Sequence, residues 1–207
     1  MREPVINSLF PIPIYMTHID RQFTKKELDF VESQKNYSHN NVGNSVSNNN
    51  YILNKPQLKN IKIFLQQCCD YYLQTVICPN KDLKLYITQS WLNYTEENEF
   101  HHKHEHPNSF VSGVFYIDSD KETDSIKFFN PMLYKQIAPE INEKKYNPYN
   151  SGSWFFSVET GKIVIFPSST THQVDNKKGS NTRISLAFNT FLRGKIGPNQ
   201  DLAELIL

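Results

Sequence analysis

Four of the seven histidines fall within one six-residue run, His101-His102-Lys103-His104-Glu105-His106, just ahead of Pro107-Asn108-Ser109 and a strongly apolar segment. Neutral imidazole is a common metal ligand, and rings that share a face can bind one ion together. In an extended chain residues two apart share a face, so His102, His104 and His106 are expected on one side and His101, Lys103 and Glu105 on the other. His172 is a third candidate ligand, following Gly161-Lys162-Ile163-Val164-Ile165-Phe166-Pro167, which reads as a buried strand ending in a turn. Eleven residues later comes Arg183-Ile184-Ser185-Leu186-Ala187-Phe188-Asn189. Alternation there puts Arg183, Ser185, Ala187 and Asn189 on one face and Leu186 and Phe188 on the other. A permanently charged guanidinium on an inward, largely apolar face is costly unless an anion meets it, and a dicarboxylic cosubstrate would supply that anion.

Each of these residues also has a plainer reading. The histidine run is equally the composition of a surface turn, with His101 and His102 solvated or held structurally. Arg183 is equally a surface cation on an edge strand, or the partner of an acid such as Asp118. A serine in a strand, such as Ser185, often only hydrogen-bonds to backbone.

The elements that must position these groups are legible in outline. Leu9 to Met16 is apolar and β-rich, but its prolines confine it to an edge strand or an extended arm. Thr24 and Glu27 have capping-box spacing, and a short helix to about residue 35 should follow with Leu28 and Val31 inward. Residues 36 to 50 are dominated by Asn and Ser and read as a loop. From Pro56, the positions Leu58, Ile61, Leu65, Cys68, Tyr72 and Val76 recur as an amphipathic helix requires, and Pro79 ends it. Short β-rich runs then follow at Leu83 to Tyr94, Ser109 to Ile117, Ser125 to Phe129, Ser153 to Val158, Ile163 to Phe166 and Thr182 to Leu192. With the two histidine segments these make about eight strands, which predicts a mainly β fold: a jelly roll with a flanking helical layer.

At 207 residues the chain suits a single domain. The expected layout is residues 1–80 as N-terminal arm and helical layer and 81–195 as β core. Residues 131–152, carrying Tyr134, Tyr146 and Tyr149, form an insertion and a candidate lid. Lys plus Arg number 22 against 21 Asp plus Glu, so no basic block points to nucleic acid. No apolar run approaches the roughly 20 residues of a bilayer span. Cys68, Cys69 and Cys78 suit reduced thiols in a helix core rather than a disulfide framework, and a cytoplasmic location is expected.

The order His-x-His, long spacer, His, Arg-x-Ser resembles the iron(II) and 2-oxoglutarate-dependent oxygenases, particularly their prolyl-hydroxylase-like branch. Within it the chain is similar to small bacterial and phage proteins with an HxHP motif. The resemblance is carried by Leu9 to Tyr15, Trp91-Leu92-Asn93, His104-Glu105-His106-Pro107-Asn108-Ser109, Ser112-Gly113-Val114-Phe115-Tyr116, Phe166-Pro167-Ser168, His172-Gln173-Val174 and Arg183 to Asn189. It implies a double-stranded β-helix, cupin-like, with iron(II) held by His104, His106 and His172. It further implies that Arg183 and Ser185 receive 2-oxoglutarate, with Tyr94 and Asn93 as further cosubstrate contacts and Asn189 as a substrate contact. Where most of the superfamily has a carboxylate two residues after the first ligand, this chain has His106, leaving the metal one negative charge short.

The implied reaction is hydroxylation of a peptidyl residue or small molecule, with 2-oxoglutarate decarboxylated to succinate. The partners expected are thus 2-oxoglutarate, O2 and that substrate, with neither membrane nor nucleic acid, and a homodimer is allowed. Two other readings stay open: a three-histidine dioxygenase that does not use 2-oxoglutarate, and a non-catalytic jelly-roll binding or structural module.

Overall fold

Thr24 opens the first helix as its spacing with Glu27 requires. In the computed structural model, which describes residues 2–80, 83–131, 137 and 139–207, helix α1 spans Lys25–Lys35. The Glu27 backbone N–H donates to Thr24 Oγ1, and the Thr24 backbone N–H donates to Glu27 Oε2. Arg21 adds two donors to the same carboxylate at 2.9 and 2.6 Å. Glu27 is therefore buried, and Val31, four residues on, shares its inward face. Leu28, expected inward, is exposed, because the Arg21–Glu27 pair sets the helix phase one position earlier.

Pro56 starts a 3₁₀ turn, Pro56–Leu58, that runs into α2, Lys59–Tyr72. Leu58, Ile61, Leu65, Cys68, Cys69 and Tyr72 are buried. The helix then widens into a π turn, Leu73–Ile77, and ends at Cys78 with a left-handed φ of 50°. That change of pitch alters the facing, so Val76 is exposed rather than buried. Cys68 and Cys69 fill the core as expected, but Cys78 is exposed; all three are free.

The strands are β1 Tyr15–His18, β2 Ser38–Asn40, β3 Ser45–Ser47, β4 Lys84–Thr95, β5 His101–His104, β6 Val111–Asp118 and β7 Ser125–Phe129. They continue as β8 Ser153–Ser157, β9 Lys162–Pro167, β10 His172–Val174, β11 Arg183–Arg193, β12 Lys195–Ile196 and β13 Leu205–Ile206. A seven-stranded sheet has the order β1-β9-β6-β11-β4-β3-β2, and a four-stranded sheet has the order β5-β10-β7-β8. The named pairs in both are antiparallel, giving the expected jelly roll with outer helices. The Asn- and Ser-rich segment is not simply a loop. Its hairpin β2–β3 pairs with β4 through Ser45 and Val46, and those ladder bonds outweigh the turn preference of the side chains. Among the described residues no helix is long and apolar enough to cross a membrane.

The larger sheet is buried on both faces. Leu92, Tyr94, Phe115, Ile117, Ile163, Ile165, Leu186 and Phe188 belong to one core with Ile61, Leu65 and Tyr72 of the helix. Tyr116, Val164 and Phe166 turn the other way and pack with Ile126 and Phe128 of the smaller sheet. Gly113 interrupts the apolar run of β6 for a reason of space: a Cβ there would lie 2.2 Å from Phe188 Cζ.

Burial alone would raise the Glu27 carboxyl pKa, but the hydrogen bonds from Arg21 and Thr24 outweigh it and hold the group below the ordinary carboxylate value. A lowered folded pKa contributes stability above the unfolded value and loses it as pH falls through the folded one. Glu27→Gln is expected to cost about 1–2 kcal/mol at neutral pH, as loss of a cap does. In urea unfolding, the difference from the unaltered protein should shrink on acidification.

Candidate metal centre

The smaller sheet brings the histidines together. His104 on β5 sits directly across the ladder from His172 on β10. His106 lies just past the end of β5, where its backbone N–H donates to Ser168 O at 3.0 Å. The ring centroids are 4.3 Å apart for His104–His172, 4.8 Å for His104–His106 and 5.1 Å for His106–His172. One ligand nitrogen from each ring lies within 4.8 Å of the others.

Two of the rings are locked by backbone carbonyls. His104 Nδ1 is 2.7 Å from His102 O, and His172 Nδ1 is 3.0 Å from Thr170 O. A carbonyl only accepts, so each Nδ1 carries the proton and each Nε2 keeps a lone pair for a metal. Burial is the main cause that lowers the pKa of all three rings, to about 4 at His106 and about 3 at His172, with neighbouring histidines adding to it at His106 and His172. The rings are thus neutral at physiological pH, which is the form a metal requires. Glu105 is excluded as a carboxylate ligand, because it accepts a hydrogen bond from Thr171 Oγ1 on the other side of the strand.

The triad opens on a cleft of about 410 Å³, part of it solvent at the mouth, lined also by Asn93, Tyr116, Arg183, Ser185 and Ala187. Arg183 is only 2 % exposed. Its Nη2 donates to Thr95 Oγ1 at 3.3 Å, while Nε and Nη1 have no partner among the described residues. Burial lowers its pKa, yet a guanidinium stays charged in a protein. Asp118, the acid weighed as its partner, is exposed and makes no ion pair with it among the described residues. Asn93 Oδ1 and the Tyr116 hydroxyl are likewise buried without partners. Several polar groups with nothing to bond, facing one cleft, fit a polar anionic ligand.

Four expectations are corrected or refined. Tyr94 does not reach the cleft: its position on β4 faces the helices, where its hydroxyl donates to Val31 O at 2.7 Å. Asn93, one residue earlier, faces inward instead. The expected parity of the histidine run fails at His101. Val174 pairs with His101 while His172 pairs with His104, so β5 carries one extra residue there. This bulge turns His101 onto the face of His104, and His101, not His102, lines the cleft. Asn189 lies on the predicted face but outside the cleft lining, accepting from Ser112 Oγ at 2.8 Å. Of the insertion's tyrosines, Tyr134 lies outside the described residues. Tyr146 and Tyr149 are exposed and do not line the cleft.

Tyr116 and Trp91 are lining residues that sequence reasoning did not single out as contacts. Both faces of β6 are apolar, so alternation alone does not say which one looks inward.

Residues 89–189, from β4 to β11, match the family model described as "Putative 2OG-Fe(II) oxygenase". Over this span, just under half of the chain, it is similar to the 2OG-Fe(II) oxygenases, a family named for iron(II) and 2-oxoglutarate. No curated protein matches the chain. Among solved structures it is similar in fold to a 2OG-Fe(II) oxygenase family oxidoreductase from Burkholderia pseudomallei, at 13% identity and TM-score 0.56 over 86% of this chain and 83% of that one. It is similar also to a Pseudomonas putida prolyl-4-hydroxylase, at 11% identity and TM-score 0.55 over 86% and 92% of the two chains. HygX from Streptomyces hygroscopicus, with nickel, 2-oxoglutarate and hygromycin B bound, gives 10% identity and TM-score 0.58 over 86% and 82%.

His172→Ala is expected to weaken anaerobic iron(II) binding by at least about 100-fold, more than the loss of an outer partner costs. Glu105→Gln should leave it unchanged, as titration of each variant with iron(II) would show.

Proposed function

We propose that this oxidoreductase is a hydroxylase in which His104, His106 and His172 hold iron(II) and Arg183 receives the distal carboxylate of 2-oxoglutarate. The observation that carries this reading is the buried Arg183 guanidinium, under-partnered and facing the same cleft as three neutral imidazoles. A buried charge of that kind is tolerated when a matching anion completes it. When bound, iron with 2-oxoglutarate supplies the oxidising power, with O2 as oxidant and succinate and CO2 as coproducts.

The protein's own part is positioning. His104 and His172 present Nε2 because their Nδ1 protons are committed to carbonyls. Arg183 Nε and Nη1 are both left to donate, and either can pair with Nη2 as a fork to a carboxylate. Ser185 lies two residues along the same inward face, and the unpartnered Tyr116 hydroxyl is a donor beside it. Tyr116 thus takes the role that the sequence suggested for Tyr94. Asn93, opposite Ser185 on β4, has a free oxygen in the cleft. Among the described residues no carboxylate lines the cleft, so iron, three neutral rings and Arg183 leave it strongly positive until the diacid enters. The apolar parts of the wall, Trp91, Val114, Ile126, Val174 and Ala187, keep water from the reacting atoms.

The substrate is a peptidyl residue or a small molecule. The fold serves both in its neighbours, since one is named a prolyl-4-hydroxylase and another holds hygromycin B. The chain acts as one unit, with residues 1–80 buttressing the strands and the 131–152 insertion serving as a lid.

Iron(II) and then 2-oxoglutarate, added without oxygen, should produce the visible charge-transfer band of a chelated keto acid. Arg183→Ala should raise the 2-oxoglutarate concentration needed for half the band by at least about 10-fold, as loss of a charge-assisted pair implies. Iron affinity should be unchanged. A band insensitive to Arg183 would refute its role, and iron binding without any band would favour a three-histidine dioxygenase that uses another substrate. Failure to bind iron would favour a non-catalytic module.

A further inference from the structure

Once His104, His106 and His172 are assigned to the metal, His101 remains in the cleft, although its ring also lies close enough to His102 and His104 for those three to share an ion. The bulge in β5 is what puts it there. Its ring stacks on that of His104, with centroids 4.6 Å apart and planes at 15°, which holds it in one orientation. Neither of its ring nitrogens bonds to a described residue, and the ring is half-buried in the cleft lining. Thr95, the last residue of β4, pairs with Arg183, and β5 begins shortly afterwards at His101, so His101 stands at the end of β5 nearer Arg183.

The strand register agrees. The rung formed by His101 and Val174 is the next inward one after the rung of His104 and His172, about 6–7 Å along the strand. His101, the triad and Arg183 line one cleft, so a diacid reaching from the triad to Arg183 would pass it. We propose that His101 is a 2-oxoglutarate contact, donating a ring N–H to a carboxylate of the cosubstrate between the triad and Arg183. This rests on the reading of the site given above.

The test is anaerobic titration of the iron(II) protein with 2-oxoglutarate, followed by the charge-transfer band, alongside iron titration of the same variants. His101→Phe keeps a ring to stack on His104 and removes the donor. It is expected to raise the 2-oxoglutarate Kd about tenfold, as loss of one charge-assisted bond implies, with iron affinity within about twofold of the unaltered protein. His101→Gln restores an N–H donor and should recover most of the affinity. An unchanged Kd in His101→Phe overturns the proposal, and so does loss of iron in that variant, which would make His101 a ligand. Equal weakening in the Phe and Gln variants also overturns it, since the imidazole would then matter only for packing. Absence of the band in the unaltered protein would instead overturn the reading of the site itself, and this contact with it.

Discussion

The antiparallel register between β5 and β10 is the constraint on which the site depends. It sets His104 directly opposite His172, so that two imidazoles from distant stretches of chain share one rung. His106 joins them because its backbone is pinned to Ser168 just beyond the strand. A slip of one residue would turn His104 to the outside, since side chains in a strand alternate faces. The flanking pairing of β10 with β7, and of β7 with β8, fixes β10 from its other edge.

The larger sheet answers this arrangement with a single charge. Arg183 opens β11 between Thr95 on β4 and the Asp118–Tyr116 stretch of β6, buried yet short of hydrogen-bond partners. Unsatisfied buried groups are rare in folded proteins, and here Arg183, Asn93 and Tyr116 leave such groups facing one cleft. The folded chain carries a desolvation cost that a bound diacid would relieve. With His106 at the triad, no side chain lining the cleft among the described residues supplies negative charge, which sharpens the effect.

Rigidity behind the cleft comes from the sheet's second face. Phe115 packs edge-on or tilted against Phe23 and Phe64, and Phe188 lies over Gly113. These contacts clamp β6 and β11 from the helix side, so the inward residues of the same strands have little freedom. The helices themselves are positioned by local chemistry, α1 by its capping box and the Arg21–Glu27 pair, and α2 by the apolar stripe from Leu58 to Tyr72.

Much of this was readable without coordinates because it is local. Helix starts follow from Thr24, Glu27 and Pro56, the strand runs from their β-rich composition, and the ligand and clamp candidates from the spacing of His104, His106, His172 and Arg183. Period-2 alternation also separates each strand into two faces, correctly grouping Arg183 with Ser185 and Ala187. It does not say which face is inside when both are buried, so it neither excludes Tyr94, whose place at the site is what the resemblance implies, nor points to Tyr116. Nor does composition reveal pairing: the bulge that swings His101 inward arises from how β5 meets β10, and the β2–β3 hairpin exists because β4 offers it an edge. Residue type and spacing thus determined which groups were available for chemistry, whereas strand pairing, a long-range property, decided which of them face one another.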